Sequence, residues 1–244
     1  MSDSMVAQVF ELGCSVVQRI QETQSQHIVD AAKAVASCYL HGHSFFVSGS
    51  GHSHTLTEEF YARAGGLAFV KPILTTELTL TEHPTKSSYI ERLDGYAAIL
   101  ADLYRIEAED VVLIASNSGR NAYPVELALE SKKRGATVIA ITCTTHSLAT
   151  TPRNKAGKRL MEVADIVIDN CGVTGDSALS VPGVPAAMCP TSSIANAFIA
   201  QAITVQAAAC IASAGVEPPV FISLNSEGTE HVNDDLFRRY TRLY

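Results

Sequence analysis

The sequence predicts an α/β protein with a doubly wound, five-stranded parallel sheet flanked by helices. Short apolar runs alternate with helix-length segments along the chain, which is the pattern of strand–helix–strand units. Several of these runs end in small, hydroxyl-rich turns that lead straight into a helix. A third observation is composition: 47% hydrophobic and 18% charged residues over 244 positions are enough to bury a large core, with no low-complexity tract. In such sheets ligands sit outside the carboxyl ends of the strands, near the point where the strand order reverses.

Residues 1–42 read as an N-terminal helix pair. Val6, Val9, Phe10, Gly13, Val16, Val17 and Ile20 share one face, and Ile28, Ala31, Ala32, Val35 and Ala36 share another, with the polar stretch Glu22 to Gln26 as the break. The sheet core is expected over 43–215 and a C-terminal tail over 216–244. The first strand, 44–47, closes in Ser48-Gly49-Ser50-Gly51-His52-Ser53, followed by a helix at about 55–63 that carries Glu58 and Glu59. A dinucleotide fingerprint would need a third glycine where His54 stands, so the turn suits one phosphate or a sugar better than a pyrophosphate.

A second strand is expected at 67–70, ended by Lys71-Pro72. Residues 72–88 read as a long irregular segment, a substrate loop in which His83 and Lys86 could meet a sugar hydroxyl or its phosphate. A helix follows from Arg92 to Leu103. The third strand, 111–114, runs into Ala115-Ser116-Asn117-Ser118-Gly119-Arg120-Asn121 and a helix over 123–134. Unpaired N–H groups at that helix start, hydroxyls of Ser116 and Ser118, and the bare backbone of Gly119 make a phosphate site. The plainer alternative is an ordinary turn capped by Ser118 or Asn121. A fourth strand, 136–141, ends in Thr142-Cys143-Thr144-Thr145-His146-Ser147. Polar loop and helix follow to Met161, then a fifth strand over 164–169. After a glycine and proline loop, 170–190, Thr191-Ser192-Ser193 starts a helix without a charged residue as far as Gly215. That segment is long enough to span a bilayer, but Asn196, Gln201 and Gln206 argue for a core helix buried on nearly all sides, partly by another subunit.

A net charge of −7 without a basic cluster argues against nucleic acid as a partner, and no membrane is expected. Six cysteines without a C-x-x-C pair suit a reduced cytoplasmic compartment. The nearest approach to a metal motif, His52-Ser53-His54, has poor spacing for two helical ligands, so neither metal nor cofactor is expected.

Taken together, Gly49-Ser50-Gly51-His52-Ser53-His54, Glu58-Glu59, Arg63-Ala64-Gly65-Gly66, Lys86-Ser87-Ser88, Glu91-Arg92-Leu93, Ser116 to Asn121, Asp169 to Gly172 and Pro190 to Ser193 resemble the sugar isomerase (SIS) domain family, in particular its stand-alone members. The tail motifs Pro218-Pro219-Val220-Phe221, Asn225, Gly228 and Glu230-His231 fit as well. The resemblance implies a flavodoxin-like sheet, a homodimer or tetramer built through helices, and a phosphorylated sugar held by the serine turns. Phosphoheptose isomerases of the superfamily hold zinc with a histidine and a glutamate, but the matching positions here are Glu59 and Arg63, so that site does not carry over.

The leading functional expectation is an isomerase-type C1/C2 proton transfer on a sugar phosphate or amino-sugar phosphate. It needs a base, a donor for the carbonyl oxygen and a remote anchor. Ser48, Ser50, Ser116, Ser118 and Thr142 are the expected phosphate anchors, with Gly49, Gly51, His52, Ser53, Asn117, Gly119, Arg120, Asn121, Ser147, Thr191, Ser192 and Ser193 around the ligand. Glu59 is the first choice of base, with Glu58 behind it. His83, or His231 from a neighbouring subunit, would assist ring opening; an exposed tail residue is the alternative for His231. A phosphosugar sensor without turnover uses the same anchors and no base, and a lyase or etherase would differ in its products.

Overall fold

The computed structural model describes residues 4–225 and 227–241. Five strands, β1 (Phe45–Gly49), β2 (Val70–Ile73), β3 (Val111–Ala115), β4 (Thr137–Thr142) and β5 (Ile166–Asp169), form one sheet in the order β2-β1-β3-β4-β5. All four pairings are parallel. Alternation of side chains sends Phe45, Val47, Leu113, Ile139 and Ile141 to one face and Phe46, Val112, Ile114, Val138 and Ala140 to the other. Helices cover both faces, which is why the strands read as continuous apolar runs.

The first face packs on α1 (Met5–Leu40), α2 (His54–Phe60) and α7 (Thr191–Ser213). The second packs on α4 (Tyr96–Leu103) and α5 (Ala122–Lys133). Strand register sets Gly49 beside Ala115 and Ala115 beside Ile141. The chain therefore leaves the sheet level at Ser50, Ser116 and Thr142, on either side of the reversal between β1 and β3.

Several elements depart from the sequence expectation. The expected helix pair is one continuous helix of 36 residues. The polar stretch over 22–26 contains no glycine or proline, and its side chains bond along the helix: Gln18 to Glu22, Thr23 to the Arg19 carbonyl, Gln26 to Asp30. Gln24 also accepts from the Asp169 N–H at 3.0 Å, so this polar patch is where α1 crosses the end of β5. The second strand lies three residues later than expected. Pro72 sits within it, tolerated because β2 is an edge strand paired with β1 alone. Leu67 and Ala68 run against the tail instead, through Val220 and the Pro219 carbonyl.

The expected helix at 92–103 begins only at Tyr96, because Gly95 adopts φ +84° and breaks the turn before it. The 72–88 segment contains a 3-10 turn at Thr76–Leu78 and the start of α3 (Lys86–Ile90), and the 152–161 stretch holds a 3-10 turn at Leu160–Glu162 where a helix was expected. A short helix, α6 (Thr144–Leu148), follows β4, and an antiparallel hairpin of β6 (Ser177–Leu179) and β7 (Met188–Pro190) interrupts the 170–190 loop. In α7, Ala195, Ile199, Ile203, Ala207 and Ile211 are buried while Phe198 and Val205 are exposed, so within one chain this helix is buried along one stripe. It is apolar and long enough to cross a membrane, and its stripe packs along α1. The tail ends in α8 (Asp234–Tyr240), where Phe237 stacks on Phe221.

Candidate active site

The reversal point between β1 and β3 carries a half-buried carboxylate, Glu91, held by the two turns that the sequence singles out. Ser50 Oγ donates to Glu91 Oε2 at 2.6 Å, and Asn121 Nδ2 donates to Oε1 at 2.8 Å. The Glu91 carbonyl accepts from the Tyr123 N–H at 2.9 Å, which fixes the short α3 end to the start of α5. Burial raises the proton affinity of the carboxyl group above the ordinary range, against the opposing pull of the Ser50 hydrogen bond and of the Arg92 and Arg153 charges. A half-buried carboxyl group of raised proton affinity, held by two neutral donors, is of the kind that can take and return a proton.

The β1 turn is shaped by its glycines. A Cβ on Gly49 would lie 2.3 Å from the Ser53 carbonyl oxygen, and Gly51 adopts φ +57°. Ser48 lies below the site floor, fully buried, with its hydroxyl 2.6 Å from the Tyr123 hydroxyl and within reach of the Ile73 carbonyl. His52 is exposed and Ser53 is half-buried.

In the β3 turn, Gly119 adopts φ +57°, and a Cβ there would come within 3.2 Å of Leu160 Cβ. Its N–H donates to Ser116 Oγ. Asn117 is tied sideways: its Oδ1 accepts from Asn170 Nδ2 at 2.9 Å, its carbonyl from Thr142 Oγ1, and Asn170 reaches on to Asn196 in α7. This asparagine chain locks three elements to each other, and neither Asn170 nor Asn196 is expected at the site from the sequence. Ser147 is fully buried, and its Oγ has no partner among the described residues, as is true of Arg120 Nε and Asn121 Oδ1.

The α7 start is arranged differently. Asp176 accepts from the Ser192 N–H at 2.9 Å, from Ser192 Oγ at 2.7 Å and from Thr191 Oγ1 at 3.2 Å, so these donors already hold a carboxylate of the same chain. Ser193 is exposed.

The four expected acid–base residues are not brought to Glu91. Glu59 accepts from Gln201 Nε2 at 2.6 Å and pairs with Arg63; Glu58 is exposed beside His54 at 3.6 Å. His83 bonds to Thr85 on the surface, and His231 is exposed beside Asp234. Glu91 is not among the expected site residues because nothing in its local segment ties it to Ser50 or Asn121; the signal available was the Glu91-Arg92-Leu93 motif, just beyond the 72–88 segment. Among the described residues no three His, Cys, Asp or Glu side chains converge on a possible metal position.

The SIS domain family model matches residues 11–143, which span β1, the Glu91 segment and the β3 turn. A UPF0309 protein of Halalkalibacterium halodurans is 43% identical over 227 residues, covering 93% of this chain and 94% of its own. The fold is similar to that of phosphoheptose isomerase GmhA from Neisseria gonorrhoeae, with a TM-score of 0.56 at 19% identity over 85% of this chain and 97% of that one. It is also similar to the Vibrio vulnificus NanR protein complexed with ManNAc-6P, with a TM-score of 0.51 at 12% identity over 88% of this chain and 68% of that one. A full-length relative at this identity and a family model that spans the site agree, and the chain belongs to the SIS domain family, alongside the UPF0309 proteins.

Proposed function

We propose that this protein binds a phosphorylated sugar at the β1–β3 edge and catalyses isomerase-type proton transfer between C1 and C2, with Glu91 as the proton carrier. The observation that carries the reading is the Ser50–Glu91–Asn121 arrangement, a carboxyl group of raised proton affinity at the sheet position where such folds bind ligands. Glu91 is preferred to Glu59 as the base because it sits between the β1 and β3 turns, held by Ser50 and Asn121, whereas Glu59 Oε1 is turned to Gln201 and Arg63. Ser118, half-buried and without a hydrogen-bond partner among the described residues, remains a phosphate donor in this reading.

A thermal-shift panel of sugar phosphates and their unphosphorylated parents tests binding, since a specific ligand stabilises the folded state by mass action. Solvent deuterium entering C2 of the ligand that shifts, without elimination, tests the reaction. Binding without deuterium uptake would leave a phosphosugar sensor, and loss of a leaving group would mark a lyase.

The reading includes self-association through α1 and α7. Val9, Phe10, Val17, Ile194 and Phe198 line a cavity of about 1050 Å³ on the outer surface of these helices, and Phe10 is 70% exposed. A second copy of the chain is the occupant we favour, because an apolar surface of this kind is uncommon on a monomer. Phe10→Glu is expected to lower the mass measured by light scattering to that of one chain.

A further inference from the structure

Arg92, Arg120 and Arg153 come from three separate segments that are laced together around Glu91. The Arg153 N–H donates to the Arg120 carbonyl at 2.7 Å, Asn154 Nδ2 donates to the same carbonyl at 3.0 Å, and Asn121 pairs with Arg153 as an isolated bridge. Asn121 and Tyr123 in turn fasten this strip to Glu91, the neighbour of Arg92.

None of the three guanidinium groups belongs to an ion pair among the described residues, in a chain that carries 25 acidic against 18 basic side chains. Three like charges beside the single carboxylate of Glu91 leave an excess of positive charge that a bound anion would offset. Arg153 holds its proton less tightly than usual, chiefly because of the Arg120 charge, with desolvation and the Arg92 charge adding to it and Glu91 opposing.

Two unpartnered atoms at this place ask for opposite things. Arg120 Nε is a buried donor that lacks an acceptor, and Asn121 Oδ1, on a side chain only 8% exposed, is an acceptor that lacks a donor. A phosphate oxygen meets the first and a sugar hydroxyl the second. The usual helix-start donors are sparse here. The Tyr123 N–H is taken by Glu91, Pro124 has none, and the Gly119 N–H is taken by Ser116.

We propose that Arg92, Arg120 and Arg153 bind the phosphate dianion of the ligand beside Glu91, so that guanidinium groups supply the charge recognition in place of the serine turns alone. The proposal rests on the phosphosugar reading above for the identity of the ester, but the anion site itself is independent of turnover. Arg120 and Arg153 sit on one strip and present planar forks that match two phosphate oxygens each.

The test is calorimetric titration of the full-length protein with sodium sulfate, inorganic phosphate and a panel of hexose and pentose phosphates, at constant ionic strength set with sodium chloride. Sulfate, phosphate and a subset of the sugar phosphates are expected to bind, with Arg120→Gln/Arg153→Gln weakening each at least tenfold. Arg19→Gln, on the exposed side of α1, is expected to leave them unchanged. Glu91→Gln removes the carboxylate that faces the arginines and is expected to tighten sulfate severalfold. Arg153→Gln alone, at an exposed side chain, gives a reading if the double variant fails to fold. Sugar phosphates bound equally well by the wild type and the arginine variants would overturn the proposal and leave the phosphosugar reading standing. Sulfate binding that depends on the arginines, with no sugar phosphate turned over, would uphold the site and remove the isomerase. Absence of binding by sulfate and all phosphates would overturn the proposal.

Discussion

The β3 turn and the α7 start both place small hydroxyl residues at the head of a helix, and their fates in the fold are opposite. At α7 the donors of Thr191 and Ser192 are satisfied by Asp176, delivered by the loop that precedes the β6–β7 hairpin. At β3 no carboxylate among the described residues pairs with the guanidinium groups; Glu91 is turned toward Ser50 and Asn121, and Arg120 Nε is buried without a partner among the described residues. A helix start is thus an opportunity for an anion, and the tertiary fold decides whether the protein's own side chain takes it.

The sharpest way to break this contrast is at Glu91. Glu91→Gln keeps the Asn121 and Ser50 neighbours in place and removes the titrating group. Turnover of any isomerised sugar phosphate should fall by about 10²–10⁴-fold while ligand-induced thermal shifts persist. Glu59→Gln should lower turnover far less, because its contacts are with Arg63 and Gln201. Equal losses in the two variants would return Glu59 to the role of base.

Asp176→Ala should convert the filled helix start into an empty one. Loss of a carboxylate held by three donors is expected to cost about 1–2 kcal/mol of stability, read as a lower urea midpoint. Added sulfate should restore part of that loss in the variant through the vacated donors, over and above any effect on the wild type. Gly119→Ala tests whether the β3 turn depends on its left-handed residue. With φ +57° and Leu160 Cβ 3.2 Å from the new methyl group, the expected cost is about 1–2 kcal/mol together with weaker sulfate binding.

The smallest effect concerns pH. Burial raises the Glu91 proton affinity in the folded state above its unfolded value. Between those two values the folded protein holds more protons than the unfolded chain, so this group's contribution to stability falls as pH rises through that window. Glu91→Gln should flatten the corresponding part of the stability–pH curve, and an unchanged slope would show that other groups dominate it.

Much of the architecture was legible in the chain. The apolar runs ending near Val47, Ile114, Ile141 and Asp169 correspond to four strands, and the turns at 48–53, 116–121 and 142–147 lie along one sheet edge. What misled was local polarity. The stretch over 22–26 looks like a break, yet its side chains bond to the helix that they sit on and to β5. Leu67 to Phe69 looks like a strand, yet this segment meets the tail before the chain enters the sheet at Val70.

The sequence by itself determined the parallel class of the main sheet, the places of four of its strands and the glycine-and-serine turns, because these follow from hydrophobic periodicity and backbone stereochemistry within short windows. The identity of the carboxylate that meets Ser50, the capture of α7 by Asp176 and the gathering of Arg92, Arg120 and Arg153 were decided only by the tertiary structure. Each joins residues about 15 to 60 positions apart in the chain, and hydrogen bonds and charge contacts over that range exist only once strand order and register have brought their segments together.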